Sequence, residues 1–262
     1  MLNRKSTVGE FLFSTVSNMA KRELEIVPRL SDPSDRAAVH DFRVEIRRLR
    51  SILGSCETLL ETEWFNNFRS QLKAIDEVIS PVRNAQVLFD RFNNYPDVIV
   101  NNNEALYVSL QTMVSEAEAT FTTKSQTPEF KEFLRVIKPA DSGAIAVLDP
   151  DESIYKFLKS KNKEQWKSLR RAALKAHPNE LHRVRIKAKK VRYLGEASIP
   201  ILGSRIQGRA QTAQRIQTLL GELQDSTMMS ELVTSADILE YEKEQVKQIR
   251  SEWSELVRRN FD

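Results

Sequence analysis

The spacing of apolar residues along the chain predicts that nearly all of it is α-helical. Apolar positions recur every three or four residues, which places them on one helix face, and strand-like alternation is scarce. The first such face comprises Val8, Phe11, Leu12, Thr15, Val16 and Met19. Pro28 ends this helix, and the Asp-Pro-Ser-Asp segment at 32–35 signals the start of a second helix that extends to about Leu60.

The same periodicity continues to the end of the chain. We expect a third helix over 64–79 that stops near Pro81, and a new helix that begins near Arg83. Later helices are predicted at 104–121, 154–174, 178–197 and 206–223, and a last one ends near Arg259. The connections between these helices are short, which favours antiparallel bundles, so the predicted fold class is all-α.

An internal repeat is the most informative feature of the sequence. Residues 40–50, HDFRVEIRRLR, align with residues 182–192, HRVRIKAKKVR, with three identities and five similar pairs. Further on, residues 79–88 align with residues 220–229. We therefore predict one domain over 1–262 that contains two copies of a helical bundle, related by a pseudo-two-fold axis. The first copy spans 7–125, a linker region spans 126–150, and the second copy spans 151–262.

On a helix, each copy of the motif forms an apolar stripe and a basic stripe, each about 80° wide. In the first copy the apolar stripe is Val39, Phe42, Ile46, Leu49 and Leu53, and the basic stripe is His40, Arg43, Arg47 and Arg50. In the second copy the apolar stripe is Leu181, Val184, Ala188 and Val191, and the basic stripe is His182, Arg185, Lys189 and Arg192. Such a basic stripe tends to lie at the lip of a groove, where the aliphatic stems pack and the charged groups face the groove.

Positive charge is concentrated in these two motifs. The chain has 40 Lys and Arg against 36 Asp and Glu, a net charge of +4, yet residues 40–50 carry +2 and residues 182–192 carry +6. Because neighbouring like charges destabilise a helix, two such runs suggest that an anion binds there. Arginine favours phosphate, since its planar fork bonds two oxygens. A solvated basic face, with histidines that only pack or cap, remains an alternative.

Composition excludes several other classes of protein. Cys56 is the only cysteine, which excludes an intrachain disulfide or a Cys-rich zinc site and fits a reducing cytosol. The three histidines have no metal-ligand spacing, and the glycine motifs that bind nucleotide phosphates are absent, so we expect no metal and no cofactor. No apolar run is long enough to span a membrane, and the first residues do not form a secretory signal.

These motifs resemble those of the CHAD family, the conserved-histidine α-helical domain. The family's first pattern, His-x-x-Arg-Val-x-x-Arg-Arg-Leu-Arg, is matched by His40, Arg43, Arg47, Arg48 and Arg50. Its second pattern, His-x-x-Arg-Ile-x-x-Lys-Lys-Leu-Arg-Tyr, is matched by His182, Arg185, Lys189, Lys190, Arg192 and Tyr193, with Val191 in place of Leu. A later Leu-Gly-x-x-Arg-Asp element appears as residues 79–84, with Asn84 in place of Asp, and its second-half counterpart is retained as residues 220–225.

The resemblance extends over nearly the whole chain and implies two four-helix bundles with a basic groove that binds inorganic polyphosphate, at polyphosphate granules in the cytoplasm. The implied binding residues are His40, Arg43, Arg47, Arg48, Arg50, Arg83, His182, Arg185, Lys189, Lys190, Arg192 and Tyr193. Some members carry a CYTH triphosphatase domain with a Glu-x-Glu-x-Lys signature. The nearest match here, Glu-Tyr-Glu-Lys at 240–243, has a different spacing and a helical context, so we expect a stand-alone, non-catalytic binding domain.

Two other functions would also use a basic surface. A nucleic-acid binder would need aromatic side chains on which bases stack, and the motifs supply only Phe42 and Tyr193. A phosphohydrolase would need carboxylates that hold a metal, and only Asp225 accompanies the motifs, where it is expected to orient arginines. Nucleic-acid binding is therefore kept as the alternative function. No membrane partner is expected, and the oligomeric state stays open.

Overall fold

The computed structural model describes residues 1–32, 35–136 and 145–261, and these residues form α-helices joined by short connections. The helices are α1 (Val8–Ile26), α2 (Arg36–Ser55), α3 (Thr62–Asn93), α4 (Asp97–Asn102), α5 (Glu104–Ser125), α6 (Pro128–Val136), α7 (Ile154–Lys175), α8 (Leu181–Leu202), α9 (Ser204–Leu232) and α10 (Ala236–Phe261). Short 3-10 turns lie at Val27–Ser31, Glu57–Leu59 and Pro178–Glu180. The described residues show β-type pairing only as two isolated bridges, which confirms the predicted all-α class.

The helices form two compact units. The first unit comprises Met1–Asn84, Ser115–Lys161 and Ala197–Gly203, and the second comprises Ala85–Val114, Asn162–Glu196 and Ser204–Asp262. Each unit takes residues from both predicted repeats, and the repeat boundaries stay a prediction. The first basic motif lies in the first unit and the second basic motif lies in the second unit.

The core of the first unit contains the apolar stripe that the sequence predicts for α2. All five of its residues, from Val39 to Leu53, are buried. The helix begins after Asp35, whose carboxylate accepts a hydrogen bond from the Ala38 amide at 3.1 Å. The Phe130 ring of α6 lies 6.2 Å from the Phe42 ring, so part of the predicted 126–150 linker is helical and packs in this core. The Pro-Ala-Asp-Ser-Gly segment of that linker lies outside the described residues.

Helix α3 corrects the prediction that the chain breaks at Pro81. A single helix runs from Thr62 to Asn93 with Pro81 inside it. An internal proline costs about 3 kcal/mol because it removes a hydrogen bond and crowds the preceding turn. The ring of Pro81 is exposed, while Ile79 and Val82 on either side are buried. Burial of two such side chains contributes about 3–6 kcal/mol, which offsets the cost of the proline. The preceding helix, α2, ends at Ser55 rather than near Leu60.

The second unit has an apolar core and a buried polar cluster beside it. The core holds Leu169, Val184, Ala188, Val191, Ile216, Leu220, Ile249 and Trp253, which confirms the apolar stripe predicted for α8. In the polar cluster, the carboxylate of Glu242 accepts hydrogen bonds from Arg91, Tyr95 and Ser226. Burial and the bond to Glu242 raise the pKa of Tyr95, so its hydroxyl keeps the proton that it donates. None of the described helices is both long and apolar enough to span a membrane.

Candidate anion-binding site

The basic stripe of α2 packs against one carboxylate of α3. Asp76 lies 3.7 Å from Nε of Arg43, 3.9 Å from Nε of Arg47 and 2.8 Å from Nη1 of Arg50. Only the contact with Arg50 is a hydrogen bond, because the other two distances exceed 3.5 Å. Three guanidinium groups therefore share Asp76, and the arrangement carries more positive than negative charge.

Neutral oxygens of α3 accept hydrogen bonds from Arg43, the least exposed of these three arginines. The side chain of Arg43 is only 12 % exposed, and its Nη2 donates to Ser80 Oγ at 3.1 Å and to Asn84 Oδ1 at 3.5 Å. Hydroxyl and amide oxygens fix the guanidinium without cancelling its charge. Asn84 thus supplies an acceptor at the position where the family pattern has a carboxylate.

His40 stands among these cations at the first turns of α2. It is exposed by area, but partial desolvation of its ring, followed by the charges of Arg83, Arg43 and Arg47, lowers its pKa, and Asp41 opposes the shift. The imidazole is therefore neutral at pH 7, because its usual pKa of 6.5 is already below that pH. A neutral ring can donate one hydrogen bond from its protonated nitrogen to an anion.

Arg48 lies apart from the other arginines of the first motif. Its Nη1 donates to Glu45 Oε1 at 2.8 Å, and Arg22 approaches the same oxygen at 3.2 Å. Glu45 is buried, so this pairing neutralises a charge inside the first unit. The structure therefore brings Arg43, Arg47 and Arg50 together and places Arg48 in a separate ion pair.

The second motif has a similar arrangement on α8 and α9. Nη1 of Arg185 donates to Gln224 Oε1 at 2.7 Å, so a neutral amide again holds the guanidinium. The Arg185 guanidinium also lies beside Gly221, where an added Cβ would be 3.5 Å from Nη2, an ordinary contact. These two residues belong to the 220–225 element, so this element packs against the motif helix.

The other members of the second motif differ in exposure. His182 and Lys190 are exposed, and Lys189 is half-buried. Nε of Arg192 donates to Glu196 Oε1 at 2.8 Å, and its guanidinium carbon lies 5.2 Å from the centre of the Tyr193 ring. Tyr193 is buried, so it packs below Arg192 and contributes a cation–π contact. Together the side chains of this helix offer an array of hydrogen-bond donors and positive charge.

The comparison with protein families agrees with these motifs. A family model described as CHAD domain matches residues 15–234, which is most of the chain. The chain belongs to the CHAD domain family. This confirms the resemblance seen in the two His-x-x-Arg motifs, both of which fall inside the matched range.

Two solved structures are similar to this CHAD protein. PptA from Streptomyces chartreusis aligns with a TM-score of 0.73 and 15% identity, over 96% of this chain and 99% of that chain. The CHAD domain from the plant Ricinus communis aligns with a TM-score of 0.75 and 17% identity, over 100% of this chain and 90% of that chain. At these identities the likeness shows the shared helical fold alone. No curated protein sequence matches this chain.

Sequence reasoning missed three residues of this CHAD site: Asp76, Ser80 and Gln224. Asp76, Ser80 and Asn84 are spaced at i, i+4 and i+8, which places them on one helix face. That signal is visible only if α3 continues through Pro81, and the predicted break assigned Asp76 and Asn84 to different helices. Among the residues that the structure describes, no group of three His, Cys, Asp or Glu side chains is placed to hold a metal ion.

Proposed function

We propose that this CHAD protein binds inorganic polyphosphate without hydrolysing it, through one basic face in each unit. The first basic face consists of His40, Arg43, Arg47, Arg50 and Arg83. The second basic face consists of His182, Arg185, Lys189, Lys190 and Arg192. The CHAD family is known for its association with polyphosphate, and this membership makes polyphosphate the first ligand to test.

One observation carries the proposal. In each unit the motif arginine, Arg43 or Arg185, is held by neutral oxygens of the facing helix. These neutral acceptors fix each guanidinium and add no negative charge, and the Asp76 carboxylate near Arg43 is shared among three guanidinium groups. This combination supports a surface built for a polyanion.

Polyphosphate matches the chemistry of both faces. It carries about one negative charge per phosphate and has neither bases nor sugars, so Arg and Lys side chains from successive helical turns can each contact phosphate oxygens. By analogy with nucleic acids, such contacts release counterions, and the affinity should fall steeply as salt rises. Each phosphate contact adds about 0.7–0.9 to the slope of log K against log salt.

Arg48 and Tyr193 take supporting roles in this proposal. Arg48 is bound to the buried Glu45 carboxylate, and Tyr193 is buried beneath Arg192. Because the Arg48 guanidinium pairs with a buried carboxylate and the Tyr193 side chain is buried, we assign both to the packing that holds the basic faces. The sequence repeats at 7–125 and 151–262, each a four-helix bundle, remain part of the proposal, as does location at polyphosphate granules in the cytoplasm.

The test is a calorimetric titration with long-chain polyphosphate at two salt concentrations. The double variant Arg43→Gln with Arg185→Gln removes the cation that neutral oxygens hold in each unit. The matched control, Lys73→Gln with Lys247→Gln, removes the same charge from exposed ion pairs on α3 and α10. We expect the first variant to lose most of the affinity and the control to retain it.

Two comparators decide between the proposal and its alternatives. Single-stranded DNA of equal phosphate content is titrated in parallel, and tighter binding of DNA than of polyphosphate would favour nucleic-acid binding. The release of orthophosphate from polyphosphate is followed with and without Mg²⁺. Release that depends on the protein would overturn the non-catalytic part of the proposal. Equal polyphosphate binding by the double variant would show that the basic faces are structural.

A further inference from the structure

Asp76 is the carboxylate around which the first basic face is arranged. The arginines near it become more exposed along α2, from 12 % at Arg43 to 35 % at Arg50. The described residues give Arg47 no hydrogen-bond acceptor, and its only ion-pair partner among them is Asp76 at 3.9 Å. Without this carboxylate, three like charges within ten residues of one helix would repel one another.

We infer that Asp76 is a positioning residue for polyphosphate. Its carboxylate accepts a hydrogen bond from Arg50 and is the shared counter-charge within 4 Å of Arg43 and Arg47, so that a phosphate meets an array that is already ordered. Ser80 supports Asp76 in turn, since its hydroxyl donates to Asp76 Oδ1 at 3.4 Å. This inference rests on the proposed function, because the ordered array is useful only to an anionic ligand.

Two opposing effects of Asp76 on affinity must be compared. As a negative charge it repels the ligand, and an exposed charge pair of this kind changes affinity by up to about fivefold. As a positioning group it removes the cost of ordering two long side chains, and each such cost corresponds to about 2- to 12-fold in affinity. For two arginines the ordering effect exceeds the repulsion. The net effect of losing Asp76 is therefore weaker binding, by about tenfold.

The variant Asp76→Asn tests this balance with long-chain polyphosphate. We expect about tenfold weaker binding at every salt concentration, with the slope of log K against log salt unchanged within about half a unit, because the same cations still contact phosphate. Asp76→Glu keeps the charge and should recover part of the affinity. The control Glu77→Gln removes an equal charge from the next residue, whose partner is Lys73 at 3.5 Å, and should not weaken binding.

Other results would contradict the positioning role of Asp76. If Asp76→Asn binds as tightly as the wild type, or more tightly with a slope steeper by about 0.7–0.9, then Asp76 acts only as a competing negative charge and the inference is wrong. Failure of the wild-type protein itself to bind polyphosphate would reject the proposed function. Wild-type binding with an unaffected Asp76→Asn variant would reject the positioning role alone.

A second measurement needs no variant and therefore does not depend on whether Asp76→Asn folds. The ¹⁵N order parameters of the arginine Nε–H groups are measured in the ligand-free protein. We expect the values for Arg47 and Arg50 to exceed about 0.6, the limit below which a group counts as flexible. Arg183 on α8, whose side chain is 79 % exposed, is the flexible reference. Equal mobility of Arg47, Arg50 and Arg183 would overturn the inference.

Discussion

The guanidinium of Arg91 in α3 donates two parallel hydrogen bonds of 2.5 Å to the carboxylate of Glu242 in α10, although 151 residues separate them along the chain. The Glu242 carboxylate is fully buried and Arg91 is mostly buried. Charges removed from water in this way are stable only as a pair, and the loss of one partner leaves the other uncompensated. This bidentate pair therefore fixes the last turns of α3, which belong to the second unit, against α10.

The first prediction concerns this pair. Glu242→Gln should lower the free energy of unfolding by about 3 kcal/mol, because it leaves the Arg91 cation without a counter-charge inside the protein. Urea denaturation followed by circular dichroism measures the change. The control Glu244→Gln lies two residues away in an exposed pair with Lys247 and should change stability by less than about 1 kcal/mol. Equal effects of the two variants would show that the buried pair contributes little.

Adjacent arginines of α2 provide a second prediction. Arg47→Gln should weaken polyphosphate binding and reduce the salt slope by about 0.7–0.9, because one phosphate contact is lost. Arg48→Gln should leave the slope unchanged, because its guanidinium is bound to Glu45. Calorimetric titration at several salt concentrations measures both variants. An equal loss of slope in the two variants would place Arg48 among the ligand contacts.

A third prediction concerns pH. Partial desolvation and then the surrounding cations lower the pKa of His40, and a bound polyanion would oppose the cations and raise it. Binding should therefore take up protons, so polyphosphate affinity should increase as pH falls from 8 towards 6. His40→Gln should flatten this dependence, whereas His177→Gln, outside both motifs, should preserve it. An unchanged pH profile in His40→Gln would mean that the ligand does not reach His40.

The same shift has the opposite consequence for folding. Because the folded-state pKa of His40 lies below its unfolded value of 6.5, the unfolded chain binds the proton more readily. The contribution of His40 to stability is therefore present above about pH 6.5 and is lost as the pH falls through the folded-state pKa. A lower pH should therefore strengthen polyphosphate binding and lower the folding stability of the ligand-free protein.

The fourth prediction concerns the single cysteine. Cys56 is buried, and this burial raises the pKa of its thiol to about 12. Since the thiolate is the reactive form, the folded protein should not react with a thiol reagent at pH 8, and it should react fully in denaturant. Absorbance of the released chromophore measures both states. Rapid labelling of the folded protein would show that the Cys56 region opens readily.

The fifth prediction concerns helix α6. Phe130 packs against Phe42 and Phe121 in the core of the first unit. Phe130→Ala should therefore lower the free energy of unfolding by about 3–5 kcal/mol, as expected for a cavity in a core. The exposed neighbour Glu129 offers the control Glu129→Ala, with an expected change within about 0.5 kcal/mol. A small effect of Phe130→Ala would mean that α6 only covers the surface.

Periodicity predicts those features of this CHAD protein that depend on one helix at a time. The buried stripes of α2 and α8 follow from residue spacing alone, as do the basic stripes beside them. Contacts between distant segments do not follow from spacing, and the Arg91–Glu242 pair has no signal in the sequence. The break predicted at Pro81 failed for a different reason: burial of Ile79 and Val82 outweighs the local preference of proline, and that balance is set by tertiary packing.

The unbroken course of α3 through Pro81 constrains how this region can change in evolution. Asp76 and Asn84 are held at a fixed separation of about 12 Å along the helix axis, because each residue adds about 1.5 Å. Insertion of a single residue between them would rotate Asn84 by about 100° and carry its amide away from Arg43. Related sequences should therefore vary freely in residue type at the exposed positions of segment 77–83. The number of residues in this segment should not change.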